Sequence, residues 1–307
     1  MKINLVVVII WLKKIFLFFH IRKEQSSCSV WGTKHYHTFD GKAFEYPGKC
    51  TYALAIDCRP GKDDFAVHIE HGVNCGMENK TCERAAVIYI NDIAHRLNPN
   101  GTLSIEGKPV VLPFADVEIL VSRHADYTFF DAWNGKLLVK YDGQGGIYVQ
   151  AAEEYRNGIC GLCGNFNGKS YDDYQLPSGS QTTSVLSFAN SWAKPKFGET
   201  CKKVLSVTDE CSNVPFITKM TSEKRCGQLK KSKLFKACRA TIDPEPYYQK
   251  CLQEVCKCKG KSKCVCGAFE QYSRQCLRKG IVMNWRSKDL CCKLLSLKSL
   301  KKAINKQ

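Results

Sequence analysis

Gly158-Ile-Cys-Gly-Leu-Cys-Gly-Asn-Phe-Asn-Gly168 can be taken in two ways. In a βαβ setting, Cys160-Gly-Leu-Cys163 would be the CxxC of a disulfide oxidoreductase, with its thiol activated at a helix N-terminus. The sequence before it argues for strands instead. Runs 67–73, 86–91, 117–122 and 136–140 are short, rich in branched residues or alternating in polarity. Asn100-Gly101, Asn134-Gly135 and Asp142-Gly143 fall between such runs and supply the positive φ angles of tight hairpins. Short strands joined by tight turns predict a mainly β fold, an antiparallel sandwich-like domain over 28–202.

Downstream the texture changes. Cysteines recur every few residues, and 226–238 and 247–256 read as short helical turns with cysteines on their inner faces. Asp243-Pro-Glu-Pro246 breaks the chain between them. Residues 207–292 are therefore expected to form a small, disulfide-rich α-helical domain, and 293–307 a basic amphipathic tail. Charge follows the same division. Lys and Arg number 21 against 21 Asp and Glu up to Cys201, and 25 against 8 after it, so the second segment carries the whole net charge of +17. Such an excess suggests an anionic partner, the alternative being lysines that simply solvate a small cysteine-rich domain.

Nineteen cysteines in 307 residues belong to a chain oxidised in the secretory pathway. Zinc-thiolate binding by the run 256–266 loses to disulfides in that compartment, which also disfavours nucleic acid as a partner. The start fits this reading. Met1-Lys2 precedes an apolar run, 3–11, and then Lys13-Lys14 and a second run, 15–19. Residues 1–27 read as a signal peptide or signal-anchor-like leader, since the lysine pair interrupts any span of about 20 apolar residues.

Oxygen-bearing side chains crowd the segment just after the quoted stretch. Asn165, Asn167, Asp172 and Asp173, with Gly168 allowing a sharp turn, can wrap a hard cation, and Lys169 can add only its backbone carbonyl. A plain polar turn is the alternative. Three segments then fall in a telling order. Cys28-Ser-Val-Trp-Gly-Thr-Lys-His-Tyr-His-Thr-Phe-Asp-Gly opens the domain, the quoted stretch closes it, and Phe188-Ala-Asn-Ser-Trp192 follows before Cys201. Together they resemble the von Willebrand factor type D domain of gel-forming mucins, zonadhesin and tectorins, over about residues 26–202. Asp243-Pro-Glu-Pro-Tyr247, Cys256-Lys-Cys258, Cys264-Val-Cys266 and Val282-Met-Asn-Trp-Arg286 resemble the C8 domain that follows it in such proteins.

The resemblance implies a structural Ca²⁺ site of Asp40, Asn165, Asn167, Asp172 and Asp173, matched to millimolar extracellular calcium. It implies the pairs Cys28–Cys163, Cys50–Cys201, Cys58–Cys160 and Cys75–Cys82. Closing loops of ~100 residues restricts the unfolded chain by several kcal/mol per bridge in the chain-entropy account. The second half holds eleven cysteines, so at least one has no partner within that half, and a disulfide-linked homo-oligomer is expected through Cys264, Cys266, Cys291 or Cys292. Relatives usually continue into a trypsin-inhibitor-like domain after C8, so the resemblance also implies a fragment or short form.

Lys257, Lys259, Lys261 and Lys263 concentrate positive potential between the crowded cysteines and are candidate contacts for anionic glycans, matrix or membrane surfaces. Asn79-Lys-Thr81 and Asn100-Gly-Thr102 are N-glycosylation sequons. Zinc-protease, nucleophile-elbow and phosphate-loop motifs are absent, and His35 and His37 read as packing residues on a strand. The leading expectation is a non-enzymatic secreted structural or adhesive module that binds extracellular proteins or matrix. A basic secreted inhibitor or toxin-like binder, and a thiol-disulfide exchange module using Cys160 and Cys163, are the alternatives.

Overall fold

The computed structural model describes residues 27–73, 83–124, 127–143, 145–195, 200–287 and 290–291. The leader 1–26, the tail 293–307, Cys75, Asn79, Cys82 and Cys292 lie outside the described residues.

Up to Cys201 the described chain is antiparallel β. One sheet contains β1 (Ser27–Trp31), β2 (His35–His37), β3 (Ala43–Glu45), β10 (Phe114–Ala115), β11 (Ile119–His124), β12 (Tyr127–Ala132), β13 (Leu137–Tyr141) and β14 (Ile147–Ala151), in the order β10-β11-β12-β13-β14-β1-β2-β3. The other contains β4 (Thr51–Asp57), β5 (Phe65–Val73), β6 (Glu83–Ile90), β7 (Ile93–Leu97), β8 (Leu103–Ile105), β9 (Lys108–Val110) and β15 (Ile159–Cys160), in the order β15-β4-β5-β6-β7-β8-β9. Hairpins dominate because the turn residues demand them: Gly101, Asn134, Gly135 and Gly143 all hold positive φ. Alternation does the rest. Leu137, Val139 and Tyr141 point into the core from β13, while Leu138 and Lys140 are only partly covered.

Val117 departs from the expected strand 117–122 and is fully exposed. The Asp116 carboxylate accepts the N–H groups of Glu118 (2.8 Å) and Ile119 (2.6 Å), making a turn that delays the strand to Ile119.

Between the sheets lies an aromatic cluster. Tyr36 stacks on Phe44 at 5.0 Å, Phe44 meets Tyr174 and Phe188 edge-on, and Tyr46 meets Tyr52 edge-on. Phe188 is supplied by α1 (Val185–Ser191), whose N-cap Ser184 accepts the Ser187 N–H.

After Cys201 the chain runs without regular structure into a helical unit. It contains α2 (Phe216–Cys226), α3 (Gln228–Lys231), α4 (Lys236–Arg239), α5 (Glu245–Lys257) and α6 (Cys266–Arg278). Pro246 sits in the first turn of α5, where its missing N–H costs nothing, so the proline pair that breaks the chain also opens the helix. Patterning does not announce α2 before Cys226, because Phe216, Ile217 and Met220 are exposed. Cys226, Cys238, Cys251, Cys256 and Cys276 are buried among Leu229, Phe235, Val255, Phe269, Tyr272 and Trp285. Trp31 of β1 belongs to this second core and is 3% exposed.

Five disulfides lock the unit: Cys211–Cys256, Cys226–Cys251, Cys238–Cys276, Cys258–Cys264 and Cys266–Cys291. Cys264, Cys266 and Cys291, expected as interchain candidates, are thereby engaged within the chain.

Candidate metal site and domain interface

The polar loop is placed by backbone contacts before any side chain is considered. Leu162 N donates to Ala53 O (3.0 Å) and Cys163 N to Leu54 O (2.8 Å), seating the loop on β4. Gly161 is obligatory there: its φ is +120° and a Cβ would stand 2.7 Å from Leu54 O. Phe39 N donates to Cys163 O (3.0 Å), and the Phe39 and Phe166 rings lie 5.0 Å apart, so the opening segment is held against the loop. Cys28–Cys163, Cys50–Cys201 and Cys58–Cys160 are bonded, closing separations of 135, 151 and 102 residues. Cys160 and Cys163 thus go to different partners, leaving no CxxC thiol pair for exchange.

All six nominated residues meet at this loop. Asp40 accepts Asn167 N on Oδ2 (2.9 Å) and Gly168 N on Oδ1 (2.8 Å). Asn165 Nδ2 reaches Asp172 Oδ1 (3.3 Å), and Asn167 Nδ2 donates to Asp172 Oδ2 (2.9 Å). Lys169 donates its N–H to Asn167 Oδ1 (2.7 Å), with an exposed side chain, so only its carbonyl is available to a cation.

Asp173 is buried. Its Oδ2 accepts the Thr38 hydroxyl at 2.7 Å, whereas Oδ1 has no donor in hydrogen-bond geometry, although the Asn165 N–H is near enough to favour the charged carboxylate. Burial pushes its pKa up to about 7 against the Thr38 hydrogen bond, and the Asp40 charge adds to the rise. Gly164 is shaped around this carboxylate, since with φ +77° a Cβ would stand 2.1 Å from Asp173 Oδ1.

The donor set fits a hard cation in its chemistry: carboxylate and amide oxygens, with one buried carboxylate oxygen left without a donor. Among the described residues, no three His, Cys, Asp or Glu side chains are gathered at metal-ligating spacing. The side chains as they stand are tied to one another, and rotating the Asn165 and Asn167 amides would turn oxygens where nitrogens now donate. Thr38 was not anticipated as part of the site. Its signal was its place two residues before Asp40, where its hydroxyl also accepts the Lys42 N–H (2.8 Å).

His35 and its neighbours do more than pack. The imidazole lies 3.3 Å from Glu45 Oε1 and 3.0 Å from Glu254 Oε1, bridging β2, β3 and α5. Glu254 also accepts the N–H (2.7 Å) and hydroxyl (3.0 Å) of Thr33. Burial raises the Glu254 pKa, but His35 and the Thr33 donors outweigh it and hold the carboxyl below its usual range. Glu45 is held down to about 2, first by its hydrogen bond with His35. Lys34, 1% exposed, donates to Thr208 O (2.6 Å) and pairs with Glu45 (3.1 Å), pinning the connecting segment.

A second contact joins β12–β14 to α6. Lys140 Nζ lies over the Tyr127 ring at 3.6 Å, Arg274 over Tyr148 at 3.9 Å, and Arg286 donates to Tyr127 (3.1 Å) and Glu270 (2.6 Å). Arg274 and Arg286 lie more than a hundred residues from Tyr148 and Tyr127, a separation that hid these cross-domain pairs.

Lys259, Lys261 and Lys263 stand exposed on or beside the loop closed by Cys258–Cys264, and Lys257 lies 3.5 Å from Glu210. Asn100 is exposed at the β7–β8 hairpin, and its Oδ1 accepts the Thr102 N–H (3.1 Å) and hydroxyl (2.7 Å).

Comparison with known proteins agrees with this architecture. Residues 28–180 match the von Willebrand factor type D domain and residues 225–292 the C8 domain. The chain carries a type D domain followed by a C8 domain and is related to gel-forming mucins. It is 33% identical to chicken mucin-6 over 276 residues, covering 87% of this chain and 22% of that protein. It is 31% identical to human mucin-2 over 273 residues, covering 86% of this chain and 5% of that protein. Silkworm hemocytin is 31% identical over 276 residues, covering 88% of this chain and 8% of hemocytin. The chain thus spans less than a quarter of the length of each of these relatives. Modules of this mucin-like kind are non-catalytic, and the mucin-like relatives are secreted. No helix among the described residues is long and apolar enough to cross a membrane.

Proposed function

We propose that the chain is a secreted, calcium-stabilised building block for extracellular protein assembly. The observation that carries this reading is Asp173: a buried carboxylate with one oxygen lacking a donor, at the centre of an oxygen-rich loop. Ca²⁺ held by Asp40, Asn165, Asn167, Asp172, Asp173 and the Lys169 carbonyl would supply the missing positive charge. It would tie the opening segment to the loop beneath Cys28–Cys163. The role is structural, since the loop couples two covalently linked parts of the type D domain and presents no reacting group.

Assembly is supported by the mucin relationship and by cysteine count. Sixteen of the nineteen cysteines are paired among the described residues, and an odd total leaves at least one without an intrachain partner. The type D resemblance implies the pair Cys75–Cys82, and on that pairing Cys292 is the residue left to bridge chains. The lysine loop adds a surface for an anionic partner, and Asn100 a site for a solvent-facing glycan.

Calcium titration of chelated, secreted protein by isothermal calorimetry tests the reading. Binding near millimolar calcium that disappears in Asp173→Ala is expected. Heat absorbed identically by wild type and variant, or no binding at all, would overturn it.

A further inference from the structure

The outer face of α2 is turned the wrong way for a helix in a small domain. Ser222 and Cys226 face the core, with the Ser222 hydroxyl 3.6 Å from Cys256 Sγ. Phe216, Ile217 and Met220, at i, i+1 and i+4, point outward and are 76%, 67% and 49% exposed. Three large apolar side chains together on one exposed helix face mark a contact surface, where scattered single ones would not. Lys219 and Lys224 are exposed on the same helix.

The lysine loop lies beside this face. A Cβ on Gly260 would be 3.4 Å from Thr221 Cγ2, so Lys259 and Lys261 flank the residue after Met220. The disulfide Cys258–Cys264 fixes that loop, with Lys259, Lys261 and Lys263 exposed. The surface therefore offers an apolar tip beside the exposed lysines of the loop and of α2, with Glu223 the one acid exposed on that helix, within a segment that holds the whole net charge of the chain.

We propose that the α2 face and the 258–264 loop dock the chain on an anionic lipid bilayer. The charge distribution favours this occupant. A polyanionic glycan would match the lysines and leave Phe216, Ile217 and Met220 in water. The chain's own stretch 293–307 has five lysines and no acid, so it is ill matched to a basic face. A phospholipid surface supplies both phosphate and carboxylate headgroups and an apolar layer a few ångströms deeper. This inference goes beyond the assembly role and does not depend on calcium at the 165–173 loop.

The test is co-sedimentation of the full chain with vesicles of phosphatidylcholine, with and without phosphatidylserine. Binding is expected to phosphatidylserine vesicles and to weaken with salt. Removing the Lys259, Lys261 and Lys263 charges by Lys→Gln should cost on the order of a hundredfold, at about fivefold per lysine. Phe216→Ser with Ile217→Ser should cost on the order of tenfold. All five positions are exposed, so the variants keep the fold, which circular dichroism checks.

Equal binding to neutral vesicles, or full binding by the Phe216/Ile217 variant, would overturn the proposal. So would binding to immobilised heparin but not to vesicles, which would make the loop a glycan site. An oligomer that loses a subunit in the Phe216/Ile217 variant without lipid would assign the face to a second copy.

Discussion

Lys140→Met should make the chain more stable, which is unusual for a half-buried side chain placed between two domains. Lys140 Nζ lies over the Tyr127 ring, and Phe129 and Tyr148 complete its apolar surroundings. The groups facing it are Arg274 and Arg286, which repel, and Glu270 and Asp142, which attract. Burial dominates and brings its pKa from 10.5 down to about 7, with Arg274 next in effect. Each tenfold displacement of that proton equilibrium is worth 1.36 kcal/mol, so keeping the ammonium charged there costs about 5 kcal/mol. The Tyr127 face returns about 2 kcal/mol. A net gain of about 3 kcal/mol is therefore expected for methionine, which fills a similar volume and favours aromatic neighbours.

The gain is pH-dependent with a fixed sign. The unfolded lysine keeps its proton to about pH 10, whereas the folded one releases it near 7, so wild-type stability climbs with pH across that interval. The methionine advantage is then full at pH 6 and shrinks towards pH 10. Urea unfolding of the disulfide-intact chain, followed by tryptophan fluorescence, to which Trp31 and Trp285 of the C8 core contribute, measures it at both pH values. A variant no more stable than wild type at pH 6, or a gain unchanged at pH 10, would refute the reasoning.

Chelation should lower the melting temperature of the wild type and leave Asp173→Ala unmoved; a calcium response equal in both sinks the site assignment. Gly164→Ala should cost about 2 kcal/mol and abolish calcium binding, because the residue sits at positive φ with its Cβ position occupied by Asp173 Oδ1. Retained calcium affinity in that variant would show that the carboxylate can move aside. The depressed carboxyl of Glu45 contributes stability that is full above about pH 4.5 and is lost as pH falls towards 2, and Glu254, also held below its usual range, contributes with the same sign. Glu254→Gln should flatten that acid transition, as followed by tryptophan fluorescence. Cys292→Ser should abolish disulfide-linked oligomers on a nonreducing gel, and their persistence would move the interchain bond to Cys75 or Cys82.

Local chemistry made the strands and the polar loop readable. Asn-Gly and Asp-Gly pairs announce hairpins through their backbone alone, and alternation such as Leu137, Val139 and Tyr141 announces a buried face. The oxygen-bearing side chains of 165–173 announce a cation-binding capacity wherever they stand. Cysteine partners were not readable from spacing, because Cys28 and Cys163 meet only after the two sheets close. Helix α2 was invisible for a different reason. Sequence patterning assumes that apolar residues face inward, and Phe216, Ile217 and Met220 face outward.

The division of charge at residue 202 invites a picture of two beads on a string, and the packing contradicts it. Trp31, three residues after Cys28, has its ring in the C8 core, and a Cβ on Gly267 would stand 3.0 Å from it. Gly32 next to it has φ +56°, and a Cβ there would collide with the Glu254 carboxylate at 2.4 Å. The chain therefore passes from one core to the other within a single turn between β1 and β2. That turn leads through Lys34, His35 and Tyr36 into Thr38 and Asp40, the residues that hold the polar loop. Only residues 32–37 separate Trp31, in the C8 core, from Thr38, which donates to Asp173 in the loop. A cation there would stiffen the domain pair as well as the domain that binds it.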